Sequence, residues 1–338
     1  ISRGLVGSEM CIRDRRALVE TGRDDVEIVL INTPGPVETS AHLYEFDSIH
    51  GRAQGSVSHG EVWMDVGRGR IAMTHERDPA MIPHADHGVD IVLECSGRFN
   101  DRDSSAAHLT AGAKRVLVSA PCKNADATIV YGVNHDGIAA DQLVISNASC
   151  TTNCLAPVAK VMSDAVGIEA GYMTTIHAYT GDQPTLDTSH KDLRRARAAA
   201  MSMIPTSTGA ARSVGEVLPH LRGKMNGSAI RVPTANVSVV DFGFTSNRDT
   251  STQEVNALLK TAAEGPMKGI LGINERPLVS IDFNHDPHSS IADLTQTHVM
   301  NGRLVRVLAW YDNEWGFSCR MLDNACLLYT SDAADERS

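Results

Sequence analysis

The sequence predicts an α/β protein: a doubly wound parallel, Rossmann-like sheet, then an α+β domain with a mixed or antiparallel sheet. Three observations predict it. Short apolar runs at 26–32, 89–95, 115–119, 127–131 and 143–145 alternate with helix-forming stretches, the texture of strands buried on both faces. Beyond residue 150 the runs are longer, alternate in polarity and are rich in Val, Thr and aromatic residues, which suits a sheet with one solvated face. The length, 338 residues, exceeds what one core ordinarily serves and favours two domains.

Taken in order, residues 1–15 (ISRGLVGSEMCIRDR) lack the apolar core of a signal peptide and show no useful strand or helix period. Together with the tail 326–338 (CLLYTSDAADERS), they read as foreign to the chain between them and resemble translated adapter sequence. The first strand is 26–32, stopped by Thr33-Pro34-Gly35-Pro36. A short helix at 39–44, a strand at 89–95 ended by Ser96-Gly97, a helix at 104–113 and three further strands complete a dinucleotide-binding domain over 1–149. Such sheets take nucleotides at the carboxyl ends of their strands. A second, catalytic domain spans 150–312, with a helix at 155–166 and strands at 171–180, 229–244, 277–283 and 303–311. Residues 313–325 return to the first domain. The polar stretch 181–205 is a long loop, of the kind that is commonly functional or disordered.

Composition removes some function classes. Acidic residues outnumber basic ones 41 to 31, so the chain has no global charge for nucleic acid. No apolar run approaches the length of a membrane span, about 18 residues. Seven cysteines at 11, 95, 122, 150, 154, 319 and 326 are odd in number and irregular in spacing, which suits free thiols in the reducing cytoplasm.

The chemistry gathers around Cys150. It follows a strand and precedes a helix, where unpaired N–H groups and the helix dipole stabilise a thiolate; the bland alternative is a small buried filler. Cys154 could pair with it on a metal, but no further Cys/His pair has zinc-ligand spacing, and packing is the preferred reading. His177 ends a strand and could serve as the base a thiol needs, or be an ordinary one of 14 histidines. Arg231, in an otherwise apolar strand, needs a carboxylate or an anionic ligand. Pro205-Thr206-Ser207-Thr208-Gly209 offers hydroxyls before a helix, for phosphate or simply for capping. Arg194, Arg195 and Arg197 fit a small anion or a partner subunit better than nucleic acid.

The stretches SNASCTTNCLAPVAKV, TTIHAYT, HKDLRRARAAA, IPTSTGAA, RVPTANVSVVD and WYDNEWGFS resemble the phosphorylating glyceraldehyde-3-phosphate dehydrogenases, and the resemblance runs over 16–323. It implies oxidative phosphorylation of glyceraldehyde 3-phosphate through a thioester on Cys150. His177 would lower the thiol pKa and take the hydroxyl proton. Thr180, Asp182 and Arg231 would hold the substrate phosphate, Asp182 by orientation only. Ser149, Thr151, Arg195, Thr208 and Gly209 would hold the attacking inorganic phosphate. NAD, with NADP also admitted, would lie against Asn32, Thr33, Arg77, Ser96, Gly97 and Ser119, with Asn313 on its carboxamide. The resemblance further implies a homotetramer in which loop 181–205 lines a neighbour's cofactor pocket, and no metal. Rival readings are erythrose-4-phosphate dehydrogenase, disfavoured by Thr180 and Thr208-Gly209, and a cysteine hydrolase or acyltransferase, which has no use for Asn313 or a second phosphate site.

Three departures from the family pattern stand out. The G-x-G-x-x-G loop expected just before Arg16 is missing, although Gly4 and Gly7 are present. Thr33 replaces a common acidic residue at the adenosine ribose, which removes repulsion against a 2′-phosphate. The last helix is expected to stop near Asn324. Ala235 for a proline and Phe317 for a tyrosine are minor.

Overall fold

The computed structural model describes the backbone of residues 2–7 and 9–335 and the side chains of 11–330. The chain forms two compact units. The first takes the residues up to 131, then 135–149 and the chain from 318; the second takes 132–134 and 150–317.

The first unit is built on β1 (Ser2–Gly7), β2 (Glu27–Asn32), β5 (Ser58–His59), β6 (Trp63–Asp65), β7 (Arg70–Thr74), β8 (Ile91–Cys95), β9 (Arg115–Val118), β10 (Ala127–Thr128) and β11 (Val144–Ser146). Their order across the sheet is β10-β11-β9-β8-β1-β2-β7-β6-β5. Every pairing from β10 to β7 is parallel, and β6 and β5 add an antiparallel edge. A separate hairpin joins β3 (Phe46–Asp47) to β4 (Gly51–Arg52). The helices are α1 (Glu9–Glu20), α2 (Val37–Glu45), α3 (Arg102–Ser105) and α4 (Ala107–Thr110). Leu30, Val92, Val116, Val118 and Val144 meet in one buried cluster, as expected of strands whose branched side chains are covered on both faces.

Two expectations fail in this unit. Residues 2–7 and 9–15 do have regular structure: β1 lies at the middle of the sheet, between β2 and β8, and α1 follows it. Ladder hydrogen bonds are made by backbone, so a slot between two parallel strands admits a segment without a clear side-chain period. α1 buries Asp14, Arg15 and Arg16, each 1% exposed, with Arg15 donating to the Cys11 carbonyl at 3.1 Å and Arg16 paired with Glu20 at 2.7 Å. The helix expected at 104–113 is two short ones meeting at Ala106. The edge strands β5–β7 had no counterpart in the reading, because they are short and broken by turns at Gly67 and Gly69, both at positive φ.

The second unit has β12 (Ala170–Ala178), β13 (Ile204–Ser207), β14 (Met225–Val232), β15 (Ser238–Thr245), β16 (Leu271–Asn274), β17 (Ser290–Asp293), β18 (His298–Met300) and β19 (Leu304–Tyr311). They run β13-β14-β12-β15-β19-β17-β16, with β18 on β19, and the sheet is mixed. Helices α5 (Cys150–Ala165), α6 (Ala210–Val217) and α7 (Thr252–Glu264) belong to this unit. The single strand expected at 229–244 is two, β14 and β15, separated by a segment that begins at Pro233. The strand expected at 277–283 is instead a 3₁₀ turn over Ser280–Phe283, held by the Asp282 carboxylate on the Val279 N–H at 2.9 Å. Alternation there reports an exposed edge, with Val279 and Ile281 facing out.

Helix α8 (Trp315–Asp335) ends the chain. It does not stop near Asn324. No Gly or Pro occurs from 317 to 335 to end it, and Leu328 is fully buried. From residue 318 the helix packs with the first unit, where Asp323 pairs with Arg23 at 2.6 Å and Asn324 donates to Asn147 at 2.5 Å.

Candidate active site

Cys150 opens α5, and its Sγ lies 3.4 Å from Nε2 of His177. Local backbone aims both groups. Ala148, two residues earlier, is held at φ 56, a left-handed conformation that costs a residue with a Cβ about 1–2 kcal/mol. The turn is fixed from both sides: Ala148 N–H donates to Ser146 Oγ at 3.0 Å, and Asn147 N–H to the Val118 carbonyl at 2.9 Å. β12 and β14 run parallel with His177 paired to Arg231, which sets imidazole and guanidinium side by side.

The bonds around His177 define its tautomer. Nδ1 is 2.7 Å from the Ala178 carbonyl oxygen, and Arg231 Nη1 is 2.8 Å from both that oxygen and Nδ1. A carbonyl only accepts, so the shorter 2.7 Å contact assigns the ring proton to Nδ1, with Arg231 Nη1 donating to the same oxygen and its approach to Nδ1 not counted as a hydrogen bond. Nε2 is then the free base, facing sulfur. Burial is the largest influence on both members of the pair. It pushes the Cys150 thiol up and the His177 imidazole down to about 3. The Arg231 cation pulls the thiol back down, helped by the Thr151 N–H, and depresses the imidazole further. The influences that lower the thiol include Arg231 and the helix start.

Tyr311 braces the pair. Its hydroxyl is 2.9 Å from both Thr151 Oγ1 and Thr175 Oγ1, and its ring meets His177 edge-on at 5.9 Å. Thr151, expected to contact phosphate, also lies within hydrogen-bond distance of Tyr311, and a hydroxyl can serve more than one partner. Arg231 is partly buried, and its Nε has no partner among the described residues. A buried guanidinium N–H left unpaired calls for an anionic oxygen.

A second cluster forms at the ends of loop 181–205. Arg195 donates to Asp182 Oδ2 at 2.6 Å and to Thr206 Oγ1 at 2.9 Å. Gln183 donates to Asp182 and accepts from the Thr180 N–H and hydroxyl. Asp182 is thus a fixed counter-ion to Arg195. Arg195 also helps depress His177 and Arg231, which puts this cluster within electrostatic reach of the first. Thr208 accepts from Ala210 N–H at 3.1 Å and, with exposed Gly209, leads into α6. Ser149 directly precedes the nucleophile. Asn313 follows β19 and binds Ser238.

Two profiles match the chain: "Glyceraldehyde 3-phosphate dehydrogenase, NAD binding domain" over residues 12–102, and the C-terminal domain of the same enzyme over 149–313. A glyceraldehyde-3-phosphate dehydrogenase of Xanthobacter flavus is 65% identical over 310 residues, covering 92% of both chains. One from Cereibacter sphaeroides is 64% identical with the same coverage, and glyceraldehyde-3-phosphate dehydrogenase 2 of Bacillus subtilis is 50% identical over 91% of this chain. The chain belongs to the glyceraldehyde-3-phosphate dehydrogenase family. Membership makes it an NAD-dependent phosphorylating dehydrogenase, and neither the erythrose 4-phosphate nor the hydrolase reading is favoured.

The first unit holds the cofactor candidates of a dehydrogenase of this family. β1 and β8 are neighbours whose connections leave in opposite directions, the topological switch point where such sheets bind dinucleotides. At the end of β8, Ser96 N–H donates to Glu94 Oε1 at 2.6 Å, as does its hydroxyl, and Gly97 turns at φ 70 with open space beside it. Glu94 Oε2 lies 3.1 Å from His108 Nε2, and His108 Nδ1 lies 3.0 Å from His84 Nε2. Arg77 is exposed with no side-chain partner among the described residues. Asn32 bonds Thr74 and Glu76, Thr33 N–H reaches the Thr74 carbonyl, and Ser119 N–H the Glu94 carbonyl. These residues fit a dinucleotide. The β1–α1 turn fits it poorly, since a glycine fingerprint starting at Gly7 needs glycine at 9 and 12, where Glu9 and Ile12 stand.

Sequence reasoning missed Tyr311, Gln183 and Ser238. A signal existed for two of them: Ser238 and Tyr311, like Thr175, put hydroxyls at buried strand positions, each 1% exposed, and buried hydroxyls require partners.

Proposed function

We propose that the chain oxidises and phosphorylates D-glyceraldehyde 3-phosphate in two halves divided by a thioester on Cys150. The observation that carries this is the 3.4 Å Sγ–Nε2 contact beside an Arg231 whose Nε is buried without a partner. Sγ adds to the aldehyde carbon, and Nε2 of His177 takes the proton from the resulting hydroxyl. NAD, when bound, would supply the hydride acceptor for that carbon. Inorganic phosphate then attacks the thioester, sulfur leaves as thiolate, and 1,3-bisphosphoglycerate departs. Arg231, with Thr180 and Asp182, holds the substrate phosphate. Arg195, Ser149, Thr151, Thr208 and Gly209 hold the attacking one. Asn32, Thr33, Arg77, Ser96, Gly97 and Ser119 bind the dinucleotide from the first unit, and Asn313 its carboxamide.

Cys150→Ser should abolish appearance of reduced nicotinamide, and in the parent chain that signal should require inorganic phosphate for turnover. Dehydrogenase activity surviving the substitution would sink the nucleophile.

We further propose that Thr33, in place of an acidic residue, lets NADP bind as well as NAD. The active form is a homotetramer, supported by the strongly exposed Leu186, Leu193, Met201 and Met203 on the 181–205 loop and its neighbour β13. Seven free thiols support a reducing, cytoplasmic location. We propose that the segments 1–15 and 326–338 are foreign ends; the family match to the first domain covers nothing before residue 12.

A further inference from the structure

Asn313 is a useful cofactor ligand only if its amide points the right way. Its Oδ1 and Nδ2 have similar shape and opposite hydrogen-bonding character, so something must choose between them. The choice is made by one buried hydroxyl. Ala178 N–H donates to Ser238 Oγ at 3.0 Å, and Ser238 Oγ lies 2.8 Å from Asn313 Oδ1. Ser238 is 1% exposed, and these are its only side-chain partners among the described residues. A backbone N–H can only donate, so Ser238 must accept from Ala178. Its own proton then needs an acceptor, and Asn313 Oδ1 is the one within reach. The reverse orientation of Asn313 would bring two donors to one hydroxyl and leave the serine proton buried without a partner, which costs about 1–3 kcal/mol.

The serine itself is aimed by strained backbone. Val237, immediately before it, sits at φ 66, where a β-branched residue is a genuine outlier. Val237 is packed into a buried cluster with Phe283 and Ile291, which holds the strain in place. On the other side, Asp312 accepts the N–H groups of Glu314 and Trp315, at 2.9 and 2.8 Å, and of His285 at 2.6 Å. Asn313 is therefore anchored by its backbone neighbours and left with one side-chain freedom, the amide flip.

We propose that Ser238 is a positioning residue that fixes the polarity of the Asn313 amide, so that Nδ2 is presented as a donor to a carbonyl oxygen such as that of the nicotinamide carboxamide. The chain of donors runs Ala178 N–H to Ser238 O–H to Asn313 Oδ1. It starts on the residue after the base His177, which ties the orientation of the cofactor ligand to the strand that carries the base. The inference rests on the reading that Asn313 meets the carboxamide.

The test uses the full chain labelled with ¹⁵N-asparagine, in the free state and with NAD. The free protein should show one sharp pair of Asn313 side-chain amide signals, assigned by their loss in Asn313→Ala. In Ser238→Ala the pair should shift and split, and in Ser238→Thr it should return. Ser238→Ala should weaken NAD by about tenfold, Asn313→Ala by at least as much, and the double variant by no more than Asn313→Ala alone. An unshifted single pair in Ser238→Ala, or losses that add in the double variant, overturns the proposal. Unchanged NAD affinity in Asn313→Ala would remove the carboxamide reading itself, and the proposal with it.

Discussion

At the scale of single residues, the thiol and its base are separable from the groups that steady them. Tyr311 touches Thr151 and Thr175 through one hydroxyl and His177 through its ring edge. Tyr311→Phe keeps the ring and removes the shared partner of two buried threonines, which should cost about 1–3 kcal/mol in urea unfolding. The rate of Cys150 alkylation should change little, because the Sγ–Nε2 contact does not pass through the phenol. A large fall in alkylation with unchanged stability would give the phenol a different role. The places of Cys150 at a helix start and His177 at a strand end were legible from the sequence, while the roles assigned to them rested on the family resemblance. Tyr311 and Ser238 were not, since their significance lies in partners far away in sequence, and no local pattern records that 311 meets 151.

At the scale of elements, the reading was soundest where strands are buried on both faces. β2, β8, β9 and β11 lie within two residues of the apolar runs that predicted them. It failed where backbone rather than side chains defines the element. β1 is held by ladder bonds on both sides, and the turn at 280–283 is set by one aspartate. The β1–α1 junction has a functional consequence. Glu9→Gly with Ile12→Gly restores the G-x-G-x-x-G spacing from Gly7 and should tighten NAD at least tenfold, since without Cβ atoms the existing backbone N–H groups can approach the pyrophosphate. Equal affinity before and after, by calorimetry, would show that the turn is competent as it stands. At the end of β2, Thr33→Asp should restore discrimination against NADP while leaving NAD binding within a few-fold; the ratio of the two dissociation constants is the measure.

At the scale of the whole molecule, pH and assembly carry the tests. His84 is fully buried, and burial, then the neighbouring His108, pushes its pKa down to about 4. The unfolded chain binds a proton there near pH 6.5, so the folded state is favoured above that value and loses the advantage as pH falls towards 4. The shift corresponds to roughly 3 kcal/mol. His177, held down to about 3, adds a contribution of the same sign, so the contrast must be with a variant. His84→Gln should flatten the stability profile between pH 6.5 and 4, and parallel profiles would remove His84 as the cause. Assembly is read by sedimentation: a tetramer is expected, and charges placed at Leu193 and Met201, which are 83% and 85% exposed, should dissociate it.

The division of the chain also sets an order of events during synthesis. The second unit is almost one continuous stretch, and all of its strands precede α8 in the chain. The first unit is begun earlier but must wait. β1 needs β8, some 90 residues downstream by its register, and Asp323 and Asn324 supply contacts to Arg23 and Asn147 only at the very end. The domain translated first is therefore the one completed last. Until then its strands, all made by residue 146, lack the segment from 318 that completes the unit, and incompletely covered sheets are prone to non-native pairing. Errors at either end of this chain converge on that single late-closing body, while the sheet that carries His177 and Arg231 is free to form without them.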